Sequence, residues 1–104
     1  MIKRKGVHKM IKVVFKFKLK PGVSVEDYLV IAREAISETR REKGCISYTI
    51  NVDINDPSIL TMLEEWEDQE SLNQHNNNES VQKIVQELKK LRESSEINLY
   101  REVE

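Results

Sequence analysis

Glu64, Glu65, Trp66 and His75 place two carboxylates, the chain's single indole and an imidazole within one short run, LEEWEDQESLNQH at 63–75. Imidazole titrates near neutrality in water, so His75 is a candidate to accept a proton from a substrate or to hydrogen-bond one of its oxygens. Trp66 offers a flat apolar wall and an N–H donor. Glu64 shares a strand face with Trp66, and Tyr28 and Tyr48 lie in apolar stripes. Together these groups would form a small polar reaction pocket closed by an indole. Packing is the rival reading for each: Trp66 as core, His75 satisfied by the backbone or by Glu64, Glu64 in a salt bridge or cap, and both tyrosines as filling. Cys45 has no basic neighbour in sequence to lower its pKa and reads as a small buried filler.

Such a pocket needs a strand end and a following helix, and the chain supplies both. In IKVVFKFKLK, Ile11, Val13, Phe15, Phe17 and Leu19 alternate with mostly lysine, the pattern of a half-buried strand ended by Pro21–Gly22. Ser24 with Asp27 forms a capping box for a helix whose apolar face holds Tyr28, Ile31, Ala32, Ala35, Ile36 and Thr39. Gly44 suits the left-handed residue that ends such a helix. CISYTINVD predicts a second strand with Ile46, Tyr48, Ile50 and Val52 on one face. NDP at 55–57 predicts a turn into a third strand carrying Leu60, Met62, Glu64 and Trp66. Asp68 can cap a short helix bearing Leu72 and His75. NNN at 76–78 breaks it, and a longer helix resumes with Val81, Ile84, Val85, Leu88 and Leu91 inside. ESSE ends that helix, and INLYREV predicts a fourth strand with Ile97, Leu99 and Val103 on one face.

The order β-α-β-β-α-β predicts an α+β, ferredoxin-like fold: a four-stranded antiparallel sheet with two helices on one face. Helices on one face leave the other open. Because the third strand is apolar on both sides, a second copy is expected there, making a homodimer. At 104 residues the chain has the length of one ordinary domain, assigned to residues 10–104. Residues 1–9, with four basic side chains, are expected to be a flexible lead-in. A net charge of -1 offers no field for nucleic acid, and no apolar run is long enough for a membrane helix. One cysteine fits a reducing cytoplasm, the expected location.

The run from Gly44 to His75, with its Gly-Cys strand start, tyrosine, Asp-Pro turn, Glu-x-Trp strand end and helical histidine, resembles the antibiotic biosynthesis monooxygenase family. KLKPG at 18–22 matches as well. The resemblance implies a dimeric α+β barrel and oxygenase chemistry without metal or flavin, acting on a quinol or polyphenol-like aromatic with O₂. An electron-rich phenol, once deprotonated, can itself pass an electron to O₂, so the protein must bind it, take a proton and exclude water. Carried over, His75 and Trp66 would be catalytic, with Tyr28, Tyr48, Glu64 and Met62 lining the substrate.

Departures from the family pattern are specific. Some members have a second histidine and an aromatic where Ser80 and Val81 stand here, and some have an asparagine where this chain has Met62. Haem-degrading relatives need a histidine on the long helix, and residues 79–93 contain none. Two other activities fit the same scaffold. One is a non-catalytic dimeric module that binds a small molecule or serves a stress response. The other is an isomerase of a small phosphorylated carbonyl compound, for which Lys83, Arg92 and Arg40 are the candidate phosphate ligands.

Overall fold

The protein is described from a computed structural model covering residues 9–104; all but the last residue of the expected lead-in lies outside the described residues. The elements are β1 (Ile11–Leu19), α1 (Val25–Arg40), β2 (Cys45–Val52), β3 (Ile59–Trp66), α2 (Gln69–Asn76), α3 (Glu79–Lys89) and β4 (Arg92–Tyr100). The strands form one antiparallel sheet in the order β2-β3-β1-β4, the ferredoxin-like arrangement.

Alternation decides which side chains meet the helices. Val13 lies opposite Glu64, Phe15 opposite Met62 and Phe17 opposite Leu60, so β1 and β3 present one continuous inner face. Phe17, Leu19, Leu60 and Met62 pack there against Tyr28, Ala32 and Ile36 of α1 and Leu88 of α3. A second cluster, Ile11, Val13, Trp66 and Leu72, fills the end beneath α2. Helix α1 starts as its sequence requires: Ser24 and Asp27 exchange hydrogen bonds of 2.9 and 3.0 Å.

Four expectations are corrected by packing. Gly44 does not end α1, which is capped by Arg41 in a right-handed conformation. Instead Gly44, at φ +85°, opens β2, and a Cβ there would lie 2.0 Å from Ser71 Oγ. Ile46 is 47% exposed rather than inward, because a β-bulge between Cys45 and Ser47 breaks the alternation. ESSE belongs to β4, since Ser94, Ser95 and Glu96 pair with Lys18, Phe17 and Lys16 of β1. Sheet pairing overrides their weak strand propensity. Finally, β4 ends at Tyr100, and Val103 lies beyond it, 90% exposed.

Candidate functional site

At the inner end of β3, Glu64 and Trp66 sit two residues apart and therefore on the same face. The indole is fully buried, and its Nε1 donates to Glu64 Oε1 at 3.0 Å. This contact fixes the carboxylate and uses the indole donor. Burial raises the Glu64 pKa above the usual carboxylate value; the Trp66 hydrogen bond and the nearby His75 pull it down by less, and Glu42 adds to the rise.

His75 reaches the same place from α2, whose start is fixed by Asp68 accepting from Ser71 N at 2.8 Å. Its ring lies 4.7 Å from the Trp66 ring, tilted by 32°, and meets Tyr48 edge-on at 5.7 Å. Nδ1 is 3.0 Å from Glu42 Oε2. A carboxylate can only accept, so this bond places the proton of a neutral imidazole on Nδ1 and leaves the lone pair on Nε2. Glu42 is itself held: Asn78 Nδ2 donates to its Oε1 at 2.9 Å. Asn78 also caps α3, and the single proton of Ser80 Oγ is shared between Asn78 Oδ1, at 2.9 Å, and Glu38. The helix break at Asn77–Asn78 thus ties α1, α2 and α3 together behind the imidazole.

His75 opens on a cavity of about 230 Å³ between the sheet and the helices. Tyr28, Tyr48, Met62 and Glu64 line it as well, so five of the six residues named from sequence border one hollow. Trp66 is the exception. It stands one layer behind the imidazole and presents no surface to the cavity, because its ring is enclosed by β1 and α2. The flat wall expected of Trp66 is supplied by Tyr48 and Phe15 instead. A dry cavity of about 150 Å³ accommodates benzene, so this one has room for a flat molecule of one or two rings.

Both phenols in the cavity stay protonated at ordinary pH. Burial drives the Tyr48 pKa far up, with the Glu64 charge adding to the effect. Burial also raises Tyr28, outweighing the nearby Arg92 cation. Tyr28 Oη accepts from Arg92 Nη2 at 2.8 Å and Nε at 3.2 Å. The Arg92 guanidinium also lies over the Phe15 ring, 4.6 Å from its centroid. Of the other cations considered from sequence, Arg40 turns away to donate to Tyr48 O at 2.9 Å, and Lys83 is exposed on α3. Among the described residues, no three His, Cys, Asp or Glu side chains converge as a metal site.

Sequence reasoning missed Glu42 and Asn78. Glu42 stands in RREKG, which reads as solvated charge, and its partner His75 lies 33 residues away. Asn78 was legible only as a helix breaker. Capping preference gives a weak signal for its second role, since Asn is favoured at the position it occupies before α3.

The profile of a family described as antibiotic biosynthesis monooxygenase matches residues 10–87. Among solved structures, a conserved protein from Methanosarcina mazei Go1 is 37% identical with a TM-score of 0.86, over 93% of this chain and 96% of that one. A protein from Shewanella oneidensis is 29% identical with a TM-score of 0.82, over 91% and 92% of the two chains. SnoaB, a cofactor-independent oxygenase from Streptomyces nogalater, is 14% identical with a TM-score of 0.81, over 92% and 95%; at that identity the likeness is one of fold. Comparison with curated protein sequences gives no match. The profile spans β1 through most of α3, including every residue of the Trp66–His75–Glu42 cluster, and the chain belongs to the antibiotic biosynthesis monooxygenase family.

Proposed function

We propose that this protein is a monooxygenase that oxidises a quinol or related polyphenol with O₂, using neither metal nor flavin. The observation that carries the reading is the setting of His75: Nδ1 anchored by Glu42 at 3.0 Å, and Nε2 without a partner among the described residues, on a ring that borders a cavity sized for a flat molecule. A substrate hydroxyl placed at Nε2 gives up its proton, and the imidazolium that forms is stabilised by the Glu42 carboxylate. The phenolate then passes an electron to O₂. Overall the substrate AH₂ and O₂ give AO and H₂O: one oxygen atom enters the product, the other leaves as water with the two substrate hydrogens, and the substrate supplies all four electrons.

The surrounding residues hold that geometry. Tyr48 and Met62 bracket the ring, Trp66 packs against the imidazole from behind, and the indole N–H holds the Glu64 carboxyl beside the same hollow. His75→Asn retains a nitrogen donor towards Glu42 while removing the lone pair at Nε2. With a two-ring quinol, O₂ uptake by this variant should fall by about 10²-fold or more, the usual scale of general base catalysis, with substrate affinity largely kept. Uptake at the original rate would remove His75 from the mechanism. Tight quinol binding by the unaltered protein without any O₂ uptake would establish a binding module instead.

A further inference from the structure

Arg92 stands at the start of β4 and projects into the cavity at the end remote from Glu42. Its guanidinium is half-buried above three aromatic rings, 4.6 Å from the Phe15 centroid, 5.0 Å from Phe17 and 5.8 Å from Tyr28. No carboxylate lies within salt-bridge distance of it among the described residues. Its hydrogen-bond partner there is the Tyr28 hydroxyl, which is neutral. A partly desolvated cation balanced only by ring faces and a phenol oxygen is left short of an anion. Nε and one hydrogen of Nη2 are spent on Tyr28, whereas the second Nη2 hydrogen and Nη1 donate to no described residue, so the outer Nη1–Nη2 edge remains for a planar two-oxygen acceptor. Lys89, exposed on the last turn of α3, adds a second positive charge at the same rim.

The cavity is therefore polarised along its length. His75 and Glu64 occupy one end, with Glu42 behind the imidazole, and Arg92 with Lys89 the other. On the sheet floor, the Phe15–Met62 row beneath Arg92 is two residues from the Val13–Glu64 row, roughly 7 Å at the usual strand rise. That separation matches a molecule with a hydroxyl at one end of a one- or two-ring skeleton and a charged group at the other.

We infer that the ligand of this cavity is a hydroxylated aromatic carboxylate, held by its carboxylate on the Nη1–Nη2 edge of Arg92 with its hydroxyl at His75. The inference rests on the proposed function only for the role of the hydroxyl. A phosphate is disfavoured: its dianion would find one guanidinium edge where several donors are needed, and it would use much of the space that the ring requires.

The test is calorimetric binding of 6-hydroxy-2-naphthoate and of its uncharged carboxamide, neither of which needs O₂ to be scored. The carboxylate should bind about tenfold tighter than the carboxamide, the difference between a charge-assisted and a neutral hydrogen bond, and added salt should weaken the carboxylate alone. Arg92→Met should abolish the preference, costing the carboxylate far more affinity than the carboxamide, whose remaining binding also shows that the variant is folded. Arg92→Lys should retain part of it. Equal affinities in the unaltered protein, no binding of either probe, or equal losses of both in Arg92→Met would each overturn the inference. These outcomes are separable from the oxygenase reading. Carboxylate selectivity without O₂ uptake leaves the anion site standing and removes the oxygenase, and O₂ uptake with indifference to the carboxylate does the reverse.

Discussion

Strands β3 and β4 flank the same strand, β1, in the same antiparallel sense, yet they lead different lives. The inner-face residues of β3, from Leu60 to Trp66, are all buried beneath α1, α2 and α3. Those of β4 are not: Ile97 is 59% exposed and Leu99 50%, because β4 is the sheet edge and the helices sit over its other half. Burial on β3 allows a carboxylate, an indole and an imidazole to be held in one arrangement, with burial shifting the carboxylate's titration. Exposure on β4 makes that strand a rim, where Arg92 and Ile97 meet whatever enters. Similar neighbours thus yield a scaffold on one side and a point of access on the other.

The sharpest way to break this contrast is to truncate both strands. Trp66→Ala should cost about 3–5 kcal/mol in denaturant unfolding, the usual loss for a fully buried large aromatic. Leu99→Ala, half-exposed in the isolated chain, should cost about 1 kcal/mol. A Leu99 loss approaching that of Trp66 would show that a second copy of the chain covers β4.

Next in size is the seam that closes α2 over the end of β3. Gly44→Ala meets both a left-handed backbone and Ser71, with its Cβ 2.0 Å from Ser71 Oγ and 2.4 Å from Ser71 Cβ. Some 2–4 kcal/mol should be lost, measured by the same unfolding. A double change, Gly44→Ala with Ser71→Gly, should recover only the steric part, leaving the backbone strain.

The smallest effect expected is a gain. Glu64 has a folded-state pKa raised by burial, so its protonated form is favoured in the native protein. The associated stability is complete below the unfolded carboxylate value of about 4.5 and is lost as pH rises through the raised folded value. Glu64→Gln, which still accepts from Trp66, should therefore stabilise the protein at neutral pH, read as a higher midpoint in denaturant unfolding. The advantage should vanish as pH falls below about 4. An advantage independent of pH would mean that charge burial is not its source.

The sequence made the buried half of this molecule legible and the edge half much less so. Period-two and helical stripes are imposed by what must be hidden, so Phe17, Leu60, Met62, Ala32 and Leu88 announce their positions. No such constraint acts on β4, where Ser94, Ser95 and Glu96 are strand because β1 pairs with them. The bulge at Ile46 is equally silent, since one residue out of step leaves the composition unchanged. His75 and Glu64 stand out by type and spacing, Tyr28, Tyr48 and Met62 enter the site through the family resemblance, and the five share a cavity. Glu42 was not. It sits in a charged loop, and only the folded chain brings it to His75, as it brings Arg92 to Tyr28 across 64 residues. Partners fixed by tertiary approach leave no periodic trace.

The 4.7 Å approach of the Trp66 and His75 rings has a practical consequence. Because the chain holds a single indole, all of its tryptophan emission comes from a fluorophore stacked on the candidate base. A charged imidazolium quenches an adjacent indole far more strongly than a neutral one, so the indole emission reports on the ring packed against it and on the Glu64 carboxylate its N–H holds. A ligand that takes up the ring's free nitrogen should announce itself in the same signal.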